Sequence, residues 1–523
     1  MAETTAGGAA GSSGATFCPR EARPFVLTAT ILASAMGFID GSVVSIAIPA
    51  IRADLGATLA DAQWVSNGYM LFMAALILLG GAAGDRFGIR RVFGFGIALF
   101  VLASLLCTLA PDPLFLILCR AVQGFGAAFM VPGSLALIAK AYPREERGRA
   151  IGIWATAASL TTILGPVVGG GLLSFFGNWS WRLVFAINLP LGLGALALLW
   201  FRVPEDPPAD GRRLDWTGGL LVTAALFLIA FGLTGQGGEA SVPEPSQMLV
   251  YGGIGLALLV AFLVWEGRTA APMLPLGLFL IRAFAGANGL TFALYFSLAA
   301  ISFFLPMTLI AGWGITPALV SVSFLPLGIC LTLLSSVSGT LADRYGTAPL
   351  IAGGASLVAL AFAGLALTAP FHDLWFHVLP LMTLFGIGMG FVVTPLSTAV
   401  MTSVADSDTG TASGVNNAVA RVAGLLAVAI MGGVAALVFS HATAGVAGDA
   451  NGQLSFGRPP AAPLPREIES LRVSATDAAF ATIAWITVGL SALSAAIAWL
   501  TLEHRGRQER DRVRTAGDGE RAK

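Results

Sequence analysis

An aspartate and an arginine buried in apolar sequence are the residues of this chain most able to do chemistry. Asp40 interrupts FIDGSVVSIAIP at 38–49, and Arg120 interrupts LILCRAVQGFGAA at 116–128. Each stretch belongs to an apolar run long enough to cross a bilayer, where a charge costs on the order of 2.5–3.5 kcal/mol on insertion scales. Neither residue belongs there alone. Asp40 lies about eight residues from the outer end of its run and Arg120 about six or seven, which at about 1.5 Å per residue puts both roughly 10–12 Å deep, able to meet. One reading is a static ion pair that fixes packing. The other is a proton carrier: burial favours the neutral acid, the guanidinium favours the carboxylate, and a change of access moves a proton on or off Asp40.

A second chemically suggestive pattern occurs twice. GAAGDRFG at 81–88 returns as GTLADRYG at 339–346, each closing an apolar run at a short charged loop. Gly81 permits close helix approach and Gly88 suits a tight turn. Asp85, beside Arg86, Arg90 and Arg91, can form interhelical ion pairs or cap a helix N-terminus. Such contacts can hold one conformation shut, with Asp343 and Arg344 in the second copy. A single copy also reads as a positively charged turn that only fixes topology. Two copies at equivalent positions favour the gate, and a second block repeats as well: Gly124, Gly126, Phe129, Gly148, Ala150 and Gly152 recur about 262 positions later as Gly386, Gly388, Phe391, Gly410, Ala412 and Gly414. The chain is two related halves, which is how alternating-access transporters are built.

The elements that position these residues follow from composition. The 523 residues are 56% hydrophobic and 11% charged, with a mean hydropathy of +0.82, too little polar surface for a water-soluble globule of this size. Zero net charge gives no reason to expect nucleic acid as a partner. Measured against the ~20 apolar residues that cross a bilayer, fourteen spans are predicted, among them 25–48, 114–139, 411–439 and 477–501. The loops and termini on one side hold about 22 of the basic residues and the opposite loops about five, so both termini are expected in the cytoplasm. The expected organisation is a disordered tail at 1–24, a six-helix bundle at 25–203, two inserted helices at 204–282, a second six-helix bundle at 283–502 and a basic tail at 503–523. The first span is expected to remain rather than be cleaved as a signal peptide. A long outer loop at 440–476, rich in Pro, Ala and Gly, need not be ordered. Cys18, Cys107, Cys119 and Cys330 lack metal or redox spacing and read as small buried residues.

With these residues in hand, the chain resembles the fourteen-helix drug:proton antiporter family of the major facilitator superfamily over about 25–502. The likeness rests on Gly81, Asp85, Arg86, Gly88, Arg90 and Arg91 in the loop after span 2, with Ile89 where that family usually has a basic residue. It also rests on Arg120, Gln123, Gly124 and Gly126 in span 4, and on residues 38–49 in span 1, with Ser45 where Asn is commoner. Span 5 is similar to the motif that marks antiporters, through Gly152, Gly165, Pro166, Gly169 and Gly170, with Thr161 where Gly is usual. The resemblance implies an all-α membrane protein of two six-helix bundles plus two extra helices. It also implies proton-driven efflux of drug-like, antibiotic or other amphipathic molecules across the bacterial cytoplasmic membrane by a single chain.

No Walker sequence, paired catalytic carboxylates or metal cluster is present, so an enzyme is not expected, nor any cofactor beyond the proton gradient. Asn67, Tyr69, Gln123, Phe296, Asn416, Asn417 and Arg421 are candidates to line a substrate cavity; Arg421 has no obvious acidic partner. Glu266 is expected to reach the interface, the Trp and Arg of residues 179–190 to act as interfacial anchors, and His372 and His377 to form no metal site. A uniporter or symporter of a polar metabolite, and a non-transporting sensor or scaffold, are the alternatives. The first calls for a cavity rich in Asn, Gln and charges, the second for a soluble signalling domain.

Overall fold

A computed structural model describes residues 17–207, 214–234, 244–444, 454–460 and 462–502. Among them, fourteen helical segments are long and apolar enough to cross a membrane. The first bundle comprises α1 (Arg23–Leu55), α2 (Leu59–Phe87), α3 (Ile89–Thr108), α4 (Pro113–Ala141), α5 (Arg144–Phe176) and a sixth span in which short α6 (Trp181–Ala186) runs into α7 (Asn188–Arg202). The second comprises α10 (Arg282–Met307), α11 (Pro317–Tyr345), α12 (Thr347–Thr368), α13 (Leu379–Thr402), α14 (Thr409–Thr443) and α15 (Arg466–Thr501). The inserted helices α8 (Trp216–Leu233) and α9 (Pro245–Glu266) pair with each other, and α8 packs on α2 and α14.

Local chemistry sets the helix ends. Thr58 and Asp61 form a capping box that starts α2, Asp112 caps α4 ahead of Pro113, and Gly56 closes α1 in the left-handed region at φ 65°. These devices satisfy backbone groups that a helix terminus leaves open. Several helices outrun their predicted spans, among them α1, which continues to Leu55 instead of ending at 48, and α15, which begins at Arg466 instead of 477. Hydropathy falls where lipid ends, but the helix continues. In α15, Arg472 pairs with Glu469 at 2.7 Å and donates to the Ala311 carbonyl at 2.7 Å. The expected outer loop is therefore shorter than 440–476, and part of it is packed, because Leu454 and Phe456 are buried.

The repeated glycines divide into two kinds. A Cβ on Gly124 would lie 2.2 Å from the Tyr69 carbonyl oxygen, so α4 crosses α2 at backbone contact. Gly126 meets Gly96 of α3, and Gly388 of the second half meets Gly354 of α12 in the same way. Gly148, Gly152 and Gly410 face open space. Backbone cannot yield as a flexible side chain can, and overpacking costs roughly 1–3 kcal/mol or more. Gly124→Val is therefore expected to lower the melting temperature of the purified protein by several degrees or deplete it from membranes, while Gly148→Ala is neutral. Equal thermal stability of the two variants would contradict this packing.

The two bundles join unevenly. At the end away from the GxxxDRxG loops, one apolar core runs continuously through both, including Val43, Ile51, Phe303, Phe304, Met431 and Phe439. Gln63 of α2 donates to the Val428 carbonyl of α14 at 2.7 Å, and the Ala318 amide of α11 donates to Ser174 of α5 at 2.9 Å. Toward the motif end, α5 at Gly152, Ile153, Ala155 and Thr156 and α11 at Thr332, Leu333, Ser335 and Ser336 are exposed. Contacts across the α5–α11 seam, Ser174 to Ala318, Gly170 to Pro317 and Ile163 to Gly328, lie on the far side of these exposed residues.

Candidate functional site

Five helices of the first bundle converge on one buried polar cluster. Asp40 of α1 is 0% exposed and Arg120 of α4 is 2% exposed. Their ion pair closes at 2.6 Å. One helical turn along α4, Gln123 accepts from Arg120 at 2.7 Å and donates to Asp40 at 3.1 Å and to Ser104 of α3 at 2.9 Å. Arg120 Nε donates to the Val65 carbonyl at 2.9 Å, and Asn188 of α7 reaches Ser104 at 3.3 Å. The pair thus meets as the depth argument expects. Because α1 continues to Leu55, however, Asp40 stands near the middle of its helix rather than near one end.

Arg120 is held at three points: besides the Asp40 carboxylate, its only counter-charge among the described residues, it donates to the neutral oxygens of Gln123 and Val65. The Arg120 guanidinium also lies over the Tyr69 ring, 4.4 Å from its centroid. Tyr69 belongs to α2, which packs along α14, and Arg421 of α14 lies within electrostatic range of both Tyr69 and Tyr295. Arg421 is half-buried, and its Nε has no hydrogen-bond partner. The other cavity candidates separate by environment. Asn67 is fully buried with neither amide atom paired. Asn416 donates to Thr291 at 2.8 Å and to Asn288 at 3.3 Å inside the second bundle. Phe296 lies in the shared core, while Asn417 is exposed.

The repeated loop is built differently from the expectation. Asp85, Arg86, Asp343 and Arg344 are exposed, and Gly88 and Gly346 take matching positive φ of 94° and 90°. The residue that caps α3 is Asp206, which follows α7 and accepts from the Ile89 and Arg90 amides at 2.9 Å each. Lys140 of α4 neutralises it at 3.1 Å. Arg90 and Arg91 reach Glu205 at 3.2 and 2.6 Å, and the Arg91 hydrogen bond holds the Glu205 carboxyl below the usual carboxylate range. The loop's arginines therefore tie the first bundle to itself. A sequence signal for this existed: the acidic pair in VPEDPP interrupts a side otherwise dominated by arginine.

The span-5 motif lines two seams. Gly165 and Gly169 admit Ser42 and Val43 of α1, Gly170 admits Pro317 and Ser321 of α11, Pro166 is buried, and Gly152 is open. Two interfacial expectations are overturned. Trp181 is fully buried, donating to Asp54 at 2.9 Å beside the Arg182–Asp54 ion pair, because α6 turns inward against α1. Glu266 is also buried, held by the Leu274 amide at 3.0 Å. His372 bonds Asp477 at 2.7 Å.

Comparison with known proteins agrees with this architecture. The Major Facilitator Superfamily profile matches residues 30–428. The chain is 33% identical over 414 residues to the multidrug resistance protein B homolog of Mycobacterium tuberculosis, covering 79% of this chain and 76% of that protein. It is 33% identical over 493 residues to the puromycin resistance protein pur8 of Streptomyces alboniger, covering 93% of each. The probable actinorhodin transporter of Streptomyces coelicolor is 34% identical over 445 residues, covering 82% and 75%. Among solved structures, a bacterial homolog of the human lysosomal transporter Spinster, inward-facing and occupied, superposes with a TM-score of 0.63 at 18% identity, covering 92% of this chain and 97% of that one.

Proposed function

This chain belongs to the major facilitator superfamily, and from that premise we propose that it exports antibiotics or other amphipathic drug-like molecules in exchange for protons, by alternating access. It is a multi-pass membrane protein of a family that transports small molecules. In the proposed orientation the GxxxDRxG loops and both termini face the cytoplasm, which accords with the bias of basic residues. The conformation described is then open toward the cytoplasm and closed outside.

The observation that carries the exchange is the sealed Asp40–Arg120–Gln123 cluster set against Tyr69 at the bundle boundary. Protonating Asp40 removes the counter-charge of Arg120, and breaking a buried pair costs about 3–5 kcal/mol. Arg120, stacked on Tyr69, and Arg421, within electrostatic range of Tyr69 across the α2–α14 contact, then both present uncompensated charge. That imbalance is of the few-kcal/mol size that separates the states of such a protein. Asp85 and Asp343, exposed here, would find partners when the cytoplasmic seam closes and Gly152 loses its open space. Relatives named for multidrug, puromycin and actinorhodin handling support the substrate class.

Everted membrane vesicles with an acidified lumen test the reading. Adding puromycin, an acidic aromatic polyketide or a lipophilic cation should release lumenal protons in proportion to uptake for at least one of them, measured by a pH-sensitive dye and mass spectrometry. Uptake of every active compound without proton release would replace antiport by uniport.

A further inference from the structure

The two inserted helices contain a carboxyl pair that the transport reading does not use. Asp215 caps α8, accepting from the Gly218 amide at 2.8 Å and from the Trp265 indole of α9 at 2.9 and 3.0 Å. Glu266 follows Trp265 and is 3% exposed. Its Oε2 accepts from the Leu274 amide at 3.0 Å, but its Oε1 is buried and has no partner. A Cβ placed on Gly218 would lie 2.6 Å from Asp215 Oδ2 and 2.8 Å from Glu266 Oε1, so both oxygens aim at one glycine. The two carboxyl groups are within hydrogen-bond reach of each other.

The surroundings supply no cation to either acid among the described residues. From α8 the facing group is Asp215; from α9 they are Trp265 and Glu266; the 273–274 segment contributes backbone amides. From α2 they are Leu76 and Leu79. Arg268 is exposed beyond the end of α9, and Arg212 and Arg213 lie outside the described residues. Two like charges sharing one buried site repel each other, which favours a proton on the less well-solvated carboxyl. Asp215 already has its donors; Glu266 Oε1 lacks one.

We propose that Asp215 and Glu266 hold one proton between them, forming a proton-binding site in the α8–α9 pair that is separate from Asp40. The proton sits on Glu266 Oε1 and is donated to Asp215 Oδ2, which supplies the missing partner. Its loss would place two like charges in the site and disturb the Leu274 contact, and Leu274 packs against both the α2–α8 core and the core of the second bundle. The site is therefore placed to make the junction between the inserted helices and the second bundle responsive to pH.

The full chain in lipid nanodiscs supplies the test. The infrared band of a protonated carboxyl should be present at neutral pH in wild type and in Asp40→Asn, and should lose one carboxyl's intensity in Glu266→Gln. Glutamine retains an acceptor for Leu274 and a donor for Asp215, so this variant should fold. Independently, the Trp265 fluorescence component, obtained by subtracting Trp265→Phe, should titrate with pH in wild type and be flat in Glu266→Gln. Equal carboxyl bands in wild type and Glu266→Gln would overturn the proposal. So would a Trp265 signal that follows sodium at fixed pH, since the bound species would then be a metal cation.

Discussion

Asp40→Asn is expected to abolish uphill export while leaving the protein in the membrane. Asparagine keeps the shape of aspartate and an oxygen facing Arg120, and Val65 and Gln123 still bind the guanidinium. What it cannot do is gain and lose a proton. One proton moving down 100 mV supplies about 2.3 kcal/mol, enough to sustain roughly a forty-fold gradient of a neutral substrate. Without that coupling the substrate should only equilibrate, a loss of the whole forty-fold accumulation. The measurement is substrate inside and outside energised vesicles containing wild type or Asp40→Asn at matched protein levels. An undiminished gradient in the variant would remove Asp40 from the coupling. Asp40→Glu, which restores the titratable group at a shifted position, should recover part of the gradient.

A covalent tie across the closed seam should have an effect of similar size. The Ala318 amide lies 2.9 Å from the Ser174 hydroxyl, in different bundles. That bond keeps the two Cα atoms within the roughly 7 Å that a disulfide spans. In a background freed of the four native cysteines, Ser174→Cys with Ala318→Cys should therefore cross-link on oxidation. The proposed alternating access requires α5 and α11 to separate here, so oxidation should reduce transport at least about ten-fold, with recovery on reduction, for a process whose states otherwise differ by only a few kcal/mol. Full transport with the disulfide formed would mean that this end never opens. Each single-cysteine variant controls for the substitution itself.

What the sequence revealed and what it hid have distinct physical causes. Asp40 and Arg120 were legible because a lone charge in lipid is costly, so depth alone predicts a partner. The halves were legible because a glycine at a helix crossing tolerates no other residue, as the matching Gly96–Gly126 and Gly354–Gly388 contacts illustrate. Asp206 was hidden because it joins α3 from 117 positions away, and nothing local in GDRFGIRR indicates what will cap it. Glu266 and Trp181 were misread for another reason. Near a membrane edge, hydropathy cannot distinguish a polar side chain that meets water from one that meets protein. The same blindness shortened α1 and α15, whose outer turns are stabilised by neighbours instead of lipid.

The buried Arg52 gives the outer loop an unexpected importance. Arg52, in the first bundle, donates to the Phe456 carbonyl and at 2.9 Å to the Ser455 hydroxyl, in a connection that belongs wholly to the second bundle. In the proposed transport cycle, opening the outer face would withdraw Leu454 and Phe456 from the core and leave that guanidinium to water. On that proposal, a segment outside every span acts as ballast on one side of the conformational balance. Lightening it, for instance by replacing Phe456 with a smaller residue, is then expected to alter how long the carrier waits in each state without changing a side chain of any membrane-spanning helix. Turnover and selectivity could then drift independently in evolution, one written in a loop and the other in the helices.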